Sequence, residues 1–384
     1  MLPSPDAGRL RHDLAGLVAI DTQNPPGNEL EAAAFVVHAL SLSGFEHAFD
    51  SIAPGRSNVI MRLANGDGPV FAFCTHMDVV PAGDGWTGDP FRLRESDGRL
   101  HGRGACDAKG ALAAMLEAMR MLAECRTAWR GCLLGVFVCD EEVGSAGARR
   151  FAAGEPKIDF TVIGEPTGNR VIIAHKGSLR PIVRVHGRAA HSGTPEAGHN
   201  AIFNAARLCG LIEAFHAKHL KGRSHPLVGS ASLTVTRIHG GVADNIIPDQ
   251  CELLLDRRLI PGEEEADAVG EIHRILDEAR ERFGVRAEIA GSKPTTGGAA
   301  ATPPEAPIVA AALAATLRHG VPHHIPGGFQ GACDLVHFRN IGASGVVLGP
   351  GSLEVAHKAD EFVSAQELSE ASAIYRDIAL AMLR

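Results

Sequence analysis

Phe71-Ala-Phe-Cys-Thr-His76-Met-Asp78-Val-Val-Pro81 is the stretch that decides how the rest of the chain is read. Residues 70–74 are a short apolar, aromatic run with Pro69 ahead of it, the pattern of a buried strand. The run ends by delivering a histidine and a carboxylate two residues apart. Positions i and i+2 of a strand share one face. His76 and Asp78 are therefore expected together at the carboxyl end of a sheet, where open α/β folds bind ligands. A carboxylate beside an imidazole fixes its tautomer and makes the free nitrogen a better metal donor.

Outward from that run, the same kind of ending recurs. Leu133–Cys139 reads as another buried strand and ends in Asp140-Glu141-Glu142; Thr161–Gly164 ends in Glu165. Three adjacent carboxylates on a surface loop are simply solvated, but at the end of an apolar strand they need a cation. Asp107 stands just ahead of a helix expected over 109–125, where an N-cap is the ordinary reading. A dinucleotide reading of Gly102-x-Gly104 fails, because Asp107 occupies the third glycine position and would face a pyrophosphate. Any one of these groups is a cap or a solvated charge. Their recurrence at one edge of one sheet points to a cation-binding centre.

Composition narrows the classes. The chain has 384 residues, 45% hydrophobic and 21% charged, with net charge −8. That is globular composition, long enough for two domains, and it lacks the dense Lys/Arg patch of a nucleic-acid binder. Met1-Leu-Pro-Ser-Pro-Asp6 has no apolar core of a signal sequence, and no run approaches a membrane span. A soluble, cytoplasmic protein without nucleic-acid or membrane partners is expected. Its eight cysteines contain no C-x-x-C pair, which fits reduced thiols.

Helices are expected over 8–20 and 29–43, separated by the turn Asp21–Gly27, and strands near 57–63 and 70–75. From about residue 178 to 292 the texture changes. Strand 178–186, helix 198–219, strands 230–239 and 251–259, helix 263–283 and strand 285–290 follow the β-α-β-β-α-β plan of a ferredoxin-like domain. It divides the chain into 1–177, 178–292 and 293–384. A flexible segment is expected over 295–304, then a helix at 305–319 and a strand at 345–348. The last helix, 364–383, opens with Ser364 and Glu367 as a capping box. Of the nineteen histidines, His12, His38, His216, His219 and His273 read as surface positions on helices.

Six motifs in this order carry a resemblance over essentially the whole chain. They are Thr75-His-Met-Asp-Val-Val-Pro81, Gly102-Arg-Gly-Ala-Cys-Asp-Ala-Lys-Gly110, Asp140-Glu-Glu142, Gly164-Glu-Pro-Thr167, His191-Ser with Gly198-His-Asn-Ala-Ile202, and Gly349-Pro-Gly with Ala356-His357-Lys. The chain resembles the M20 family of metallopeptidases and amidohydrolases. The resemblance implies an α/β fold: a zinc-exopeptidase-like catalytic domain, its mixed central sheet flanked by helices, with an inserted ferredoxin-like α+β lid through which members form homodimers. It implies two zinc ions, with Co2+ or Mn2+ as possible substitutes. His76 and Glu165 would hold one, Glu142 and His357 the other, and Asp107 would bridge. Glu141 would be the general base acting on a water between the metals, and Asp78 would orient His76. His191 would reach the other subunit's site and polarise the scissile carbonyl. Members also carry a cis peptide bond after the bridging aspartate, here Asp107–Ala108.

Substrate groups follow the same resemblance. The family cleaves amides beside a free α-carboxylate. Arg258 matches the family position for holding it, and a guanidinium suits a carboxylate bidentately. Asn245 and Ser178 match or adjoin further substrate contacts. Where succinyl-diaminopimelate desuccinylases have Asp-x-Arg, this chain has Asp334-Leu-Val336. The run 348–363 is more similar to acetylornithine deacetylases. An N-acyl amino acid is thus the expected substrate; a dipeptidase, a carboxypeptidase or a desuccinylase of the same fold are alternatives. A non-catalytic relative would be expected to lack a ligand or the base, and none is missing.

Overall fold

The computed structural model describes residues 2–384. It contains two compact units. The first runs to Ile173 and resumes over Thr302–Gly328 and Asp334–Arg384; the second is Ala174–Ala301 with Phe329–Cys333.

The first unit is built on a mixed sheet. Its strands lie in the order Glu46–Ala53, Arg56–Asn65, Gly131–Val138, Val70–His76, Phe160–Ile163, Ser344–Val347. The first three pair antiparallel, and the last four run parallel. Val70–His76 sits among them and is buried from Phe71 onward, as its unbroken apolar run requires. Helix Lys109–Glu124 packs on this strand and against the last helix, Ala365–Met382. It is buried on nearly every side, which its Ala, Leu and Met content allows.

Register places the parallel strands' ends together. His76 pairs with Val138, Cys74 with Ile163, and Val347 also with Ile163. The loops that follow them therefore leave from one edge. Strand Glu46–Ala53 went unread in the sequence. It is a mostly exposed edge strand, paired only with Arg56–Asn65, so it has no apolar face to betray it.

The second unit has a four-stranded antiparallel sheet in the order Ser232–Gly240, Gln250–Leu259, Gly177–His186, Arg286–Gly297. Numbered along the chain, that order is 2-3-1-4, the ferredoxin-like arrangement. Val183, Val185, Leu253 and Leu255 form its core with Leu208 and Ile212 of helix Ala201–Phe215 and Ile272 and Ile275 of helix Glu265–Phe283. Leu179 and Ile182 are only half-buried, so the inward face is narrower than the run of apolar residues suggests.

Two expected boundaries move. The last strand of this sheet continues to Gly297, past its expected end at 290 and into the segment expected to be flexible over 295–304. It does so because Gly297 pairs with Ser178, and Thr295 Oγ1 donates to the Ser178 carbonyl at 2.6 Å. The helix expected from 198 starts at Ala201, where the Asn200 side chain caps it by accepting from the amides of Ile202 and Phe203. Among the described residues, no helix is long and apolar enough to cross a membrane.

Candidate active site

The common edge of the parallel strands collects acids and imidazoles. His76 is the last residue of its strand. Its Nε2 lies 3.2 Å from Asp107 Oδ1, and its Nδ1 lies 2.9 Å from the backbone carbonyl of Asp78. A carbonyl only accepts, so Nδ1 carries a proton whatever the state of Nε2. Asp78 lies beyond the strand, in the loop. Its carboxylate is 3.7 Å from His76 Nδ1 and accepts instead from the amides of Glu141 at 3.0 Å and Glu142 at 3.2 Å. Asp78 thus serves His76 mainly through its backbone, and uses its side chain on the neighbouring loop.

Asp107 precedes helix Lys109–Glu124, but Ala108 holds the N-cap position and no side chain caps the helix. The carboxylate of Asp107 is left for the site. The Asp107–Ala108 peptide bond is cis. Asp107 turns its second oxygen toward His357, whose Nε2 is 3.2 Å from Asp107 Oδ2 and 3.2 Å from Glu142 Oε2. One carboxylate therefore presents an oxygen to each of two imidazoles. Donor atoms of His76, Asp107 and Glu142 lie within 4.8 Å of one another. Glu165 is buried just past strand Phe160–Ile163. The chain packs closely behind it: a Cβ on Gly349 would come within 2.6 Å of the Glu165 carbonyl oxygen, so this position needs glycine.

The three acids after Val138 are separated by a turn. Asp140 has φ +72° and its carboxylate pairs with Arg56 at 3.0 Å, away from the imidazoles. Its carbonyl accepts from Gly144 and Ser145. Glu142 meets His357, and Glu141 is left without a role in that contact.

Charge is crowded here. Desolvation, with the charge of Glu165, pushes the Glu141 carboxyl well above the usual range. Desolvation and Asp107 do the same to Glu165, and both raise Glu142 as well. Desolvation works against the His76 imidazolium, but its bond to Asp107 and the charge of Glu165 prevail, so its pKa is raised well above normal. His357 is pushed up to about 10 by its bonds to Asp107 and Glu142. For Asp107 desolvation is outweighed by His357 and His76, and its pKa falls below the usual carboxylate range. Apart from Asp107, every group is displaced as though the cluster lacked positive charge. Glu142 Oε1 is moreover buried without a hydrogen-bond partner. Imidazole and carboxylate donors around an unmet negative charge fit divalent cations that accept N and O ligands, zinc among them.

Sequence reading gave no role to Glu361, which holds the loop before Asp107. Its carboxylate accepts from the amides of Gly104 at 3.2 Å, Cys106 at 2.9 Å and Asp107 at 2.9 Å, and pairs with buried Arg103. The signal available was a glycine-rich loop offering several amides, which wants an anion; nothing local named which one.

The remaining expected residues lie in the second unit. His191 is exposed in the short strand Ala190–His191, and the amide of the next residue, Ser192, donates to the Asn245 carbonyl at 2.9 Å. Ser178 and Arg258 are opposite one another on adjacent strands. Ser178 Oγ is buried without a hydrogen-bond partner, while the Arg258 guanidinium forks onto Asp256 at 2.7 and 3.2 Å. The adjacent Arg257 is buried against Glu263 and Glu271, a structural use that its sequence neighbour does not share.

Comparison with known proteins bears on this geometry. Residues 72–381 match the model of peptidase family M20/M25/M40. The chain is similar to the acetylornithine deacetylase of Vibrio cholerae serotype O1, 30% identical over 361 residues, covering 91% of this chain and 90% of that protein. Among solved structures it resembles aminopeptidase PepT from Bacillus cereus, with TM-score 0.80 and 21% identity over 99% of this chain and 100% of that one. It also resembles YXEP from Bacillus subtilis, a dinuclear metal binding peptidase from the M20 family, with TM-score 0.75 and 18% identity over 98% of each chain.

Proposed function

The chain belongs to peptidase family M20/M25/M40, hydrolases of amide bonds, and we propose that it is a di-zinc amidohydrolase that deacylates an N-acyl amino acid. The observation that carries this reading is Asp107, which offers one oxygen toward each of two imidazoles amid carboxyls whose pKa values are raised. His76 and Glu165 would hold one metal, Glu142 and His357 the other, with Asp107 between them. The metals would supply Lewis-acid polarisation of the carbonyl and a lowered pKa for an attacking water.

The chain's own residues do the rest. Asp78 fixes the amides of Glu141 and Glu142, so that adjacent glutamates take separate tasks. Glu141, not needed as a ligand, takes a proton from the attacking water and returns it to the leaving nitrogen. The raised pKa of its carboxyl suits a group that must hold that proton between the two transfers. His191 polarises the scissile carbonyl, Arg258 releases part of its grip on Asp256 to take the α-carboxylate, and Asn245 and Ser178 add substrate contacts. These four roles rest on the family resemblance.

A homodimer through the second unit is supported by apolar side chains exposed there, including Phe203, Ile238, Val242 and Ile246. The free thiols of Cys106, Cys139 and Cys251 suit a reducing, cytoplasmic setting.

The test is a hydrolysis panel with zinc-loaded protein: N-acetylornithine, other N-acetyl amino acids, N-succinyl-diaminopimelate and dipeptides, each with and without chelator. Chelator-sensitive release from an acyl amino acid is the expected result. Preference for dipeptides would select the peptidase alternative, and no hydrolysis with two metals bound would overturn the reading.

A further inference from the structure

The turn Asp21–Gly27 has no part in the chemistry proposed above, yet it reaches the loops that carry that chemistry. Asn24 is buried. Its single side-chain nitrogen donates to Asp78 Oδ2 at 2.8 Å and to Asp140 Oδ1 at 3.0 Å. These partners are 54 and 116 residues away in sequence and belong to the loops after two neighbouring parallel strands, Val70–His76 and Gly131–Val138. The geometry points to Asn24 as a positioning residue of the active site, a neutral clamp that ties the loop carrying Asp78 to the loop presenting the base Glu141 and the metal ligand Glu142. The assignment rests on the roles given above to Glu141 and Glu142.

The chemistry requires an amide. Two carboxylates within reach of one nitrogen repel unless donors lie between them. An amide nitrogen has two protons, one for each carboxylate, and brings no charge. Asp78 relays the clamp directly, since its carboxylate also accepts the amides of Glu141 and Glu142. Asp140 relays it through the chain, since it is the residue before Glu141 and turns there at φ +72°. Arg56 reaches Asp140 at 3.0 Å, but its guanidinium is shared with Glu29 at 2.5 and 3.0 Å. Asn24 itself is fixed by backbone. Its amide donates to the Val79 carbonyl at 2.8 Å, the Val79 amide to the Thr22 carbonyl at 3.1 Å, and Thr22 Oγ1 to the Met77 carbonyl at 2.7 Å. Thr22–Asn24 therefore runs beside the loop that carries Asp78, and a shift of either would move the other.

Asn65 provides a matched control. Its Nδ2 also donates to two acceptors, the carbonyls of Arg126 at 2.7 Å and Trp129 at 2.6 Å, and it pairs with Gly131 at the opposite end of strand Gly131–Val138. The experiment compares Asn24→Ala, Asn24→Asp and Asn65→Ala in the full chain. Readouts are kcat and KM, zinc affinity by titration, and the visible spectrum of the cobalt-loaded protein. Losing a partner that orients metal ligands costs ~10–100-fold in activity or metal affinity. Asn24→Ala is expected to lower kcat by about that factor with KM nearly unchanged, to weaken zinc binding, and to shift the cobalt spectrum. Asn24→Asp, equal in size but without the donor, should lose more. Asn65→Ala should lower the melting temperature alone.

Wild-type kcat, zinc affinity and cobalt spectrum in Asn24→Ala would overturn the assignment, as would equal losses in Asn65→Ala. If neither Asn24 variant folds, Asn24→Ser gives the same readouts with a smaller expected loss, because one hydroxyl proton serves two carboxylates. Wild-type protein that hydrolyses nothing in the panel would overturn the amidohydrolase reading; zinc affinity and the cobalt spectrum would still decide the role of Asn24.

Discussion

Glu141 and Glu142 have the same side chain and adjacent positions, and the turn after Asp140 separates them. Glu142 meets His357 at 3.2 Å, while Glu141 is left with a carboxyl raised by desolvation and by Glu165. If Glu141 is the base, Glu141→Gln should lower kcat by ~10²–10⁴-fold while metal content stays at the wild-type value. Both are read from steady-state rates and elemental analysis of the same sample, and retained turnover would remove Glu141 from the role. At this scale the sequence showed which residue types gather. It did not show which acid of Asp140-Glu141-Glu142 points where. Asp140 is drawn away by Arg56 and Asn24, both distant in sequence. The carboxylate of Asp78 likewise serves amides some sixty positions on, at separations of 63 and 64 residues.

The last helix, Ala365–Met382, illustrates the element scale. Ser364 caps it, accepting from the Glu367 amide at 3.3 Å. The expected capping box is only half made: Glu367 does not return a bond to Ser364. Its carboxylate accepts from the Gly351 amide at 2.9 Å, because the Gly349–Gly351 run behind Glu165 offers it a donor. Ser364→Ala should cost ~1 kcal/mol of stability, measured by denaturant midpoint. A change below about 0.3 kcal/mol would mean that the tertiary packing of this buried helix, and not its cap, fixes where it begins. Caps and strands with strong local patterns were legible; strand Glu46–Ala53 and the continuation of Arg286–Gly297 were not, because both depend on a partner strand for their conformation.

For the whole molecule, the cluster links folding to cations and pH. Without metal, the folded chain binds protons more tightly than the unfolded chain at Glu141, Glu142, Glu165, His76 and His357. Their contribution to stability is present at low pH and is lost as pH rises through the folded values. For the histidines that loss begins above the ordinary 6.5 and runs toward about 10 for His357. Asp107 has the opposite sign, but its contribution disappears only in strong acid, below that window. Buried Lys109, lowered to about 7 by desolvation, opposes the loss within the window but is one group against five. The metal-free protein should therefore melt at progressively lower temperature as pH rises above about 6.5. Zinc should flatten that slope, since bound cations replace the protons. Calorimetry across pH with and without chelator reads it; a flat or rising profile in the metal-free protein would contradict the charge assignment.

The sequence by itself determined the fold class, the family, and which side chains stand at the ends of the buried strands. Those features are local: an apolar run forms a strand, and the residue that ends it is carried to the sheet edge. Tertiary structure alone decided how the delivered groups are divided. The register of the parallel strands brings the ends that carry His76, Glu142 and Glu165 to one edge, and the loops holding Asp107 and His357 close on them. Long-range bonds donated by Asn24 and Arg56 and accepted by Glu361 then set which oxygen faces which partner. The physical reason is that a buried polar group must find a partner wherever the fold supplies one, and sequence spacing does not encode that partner.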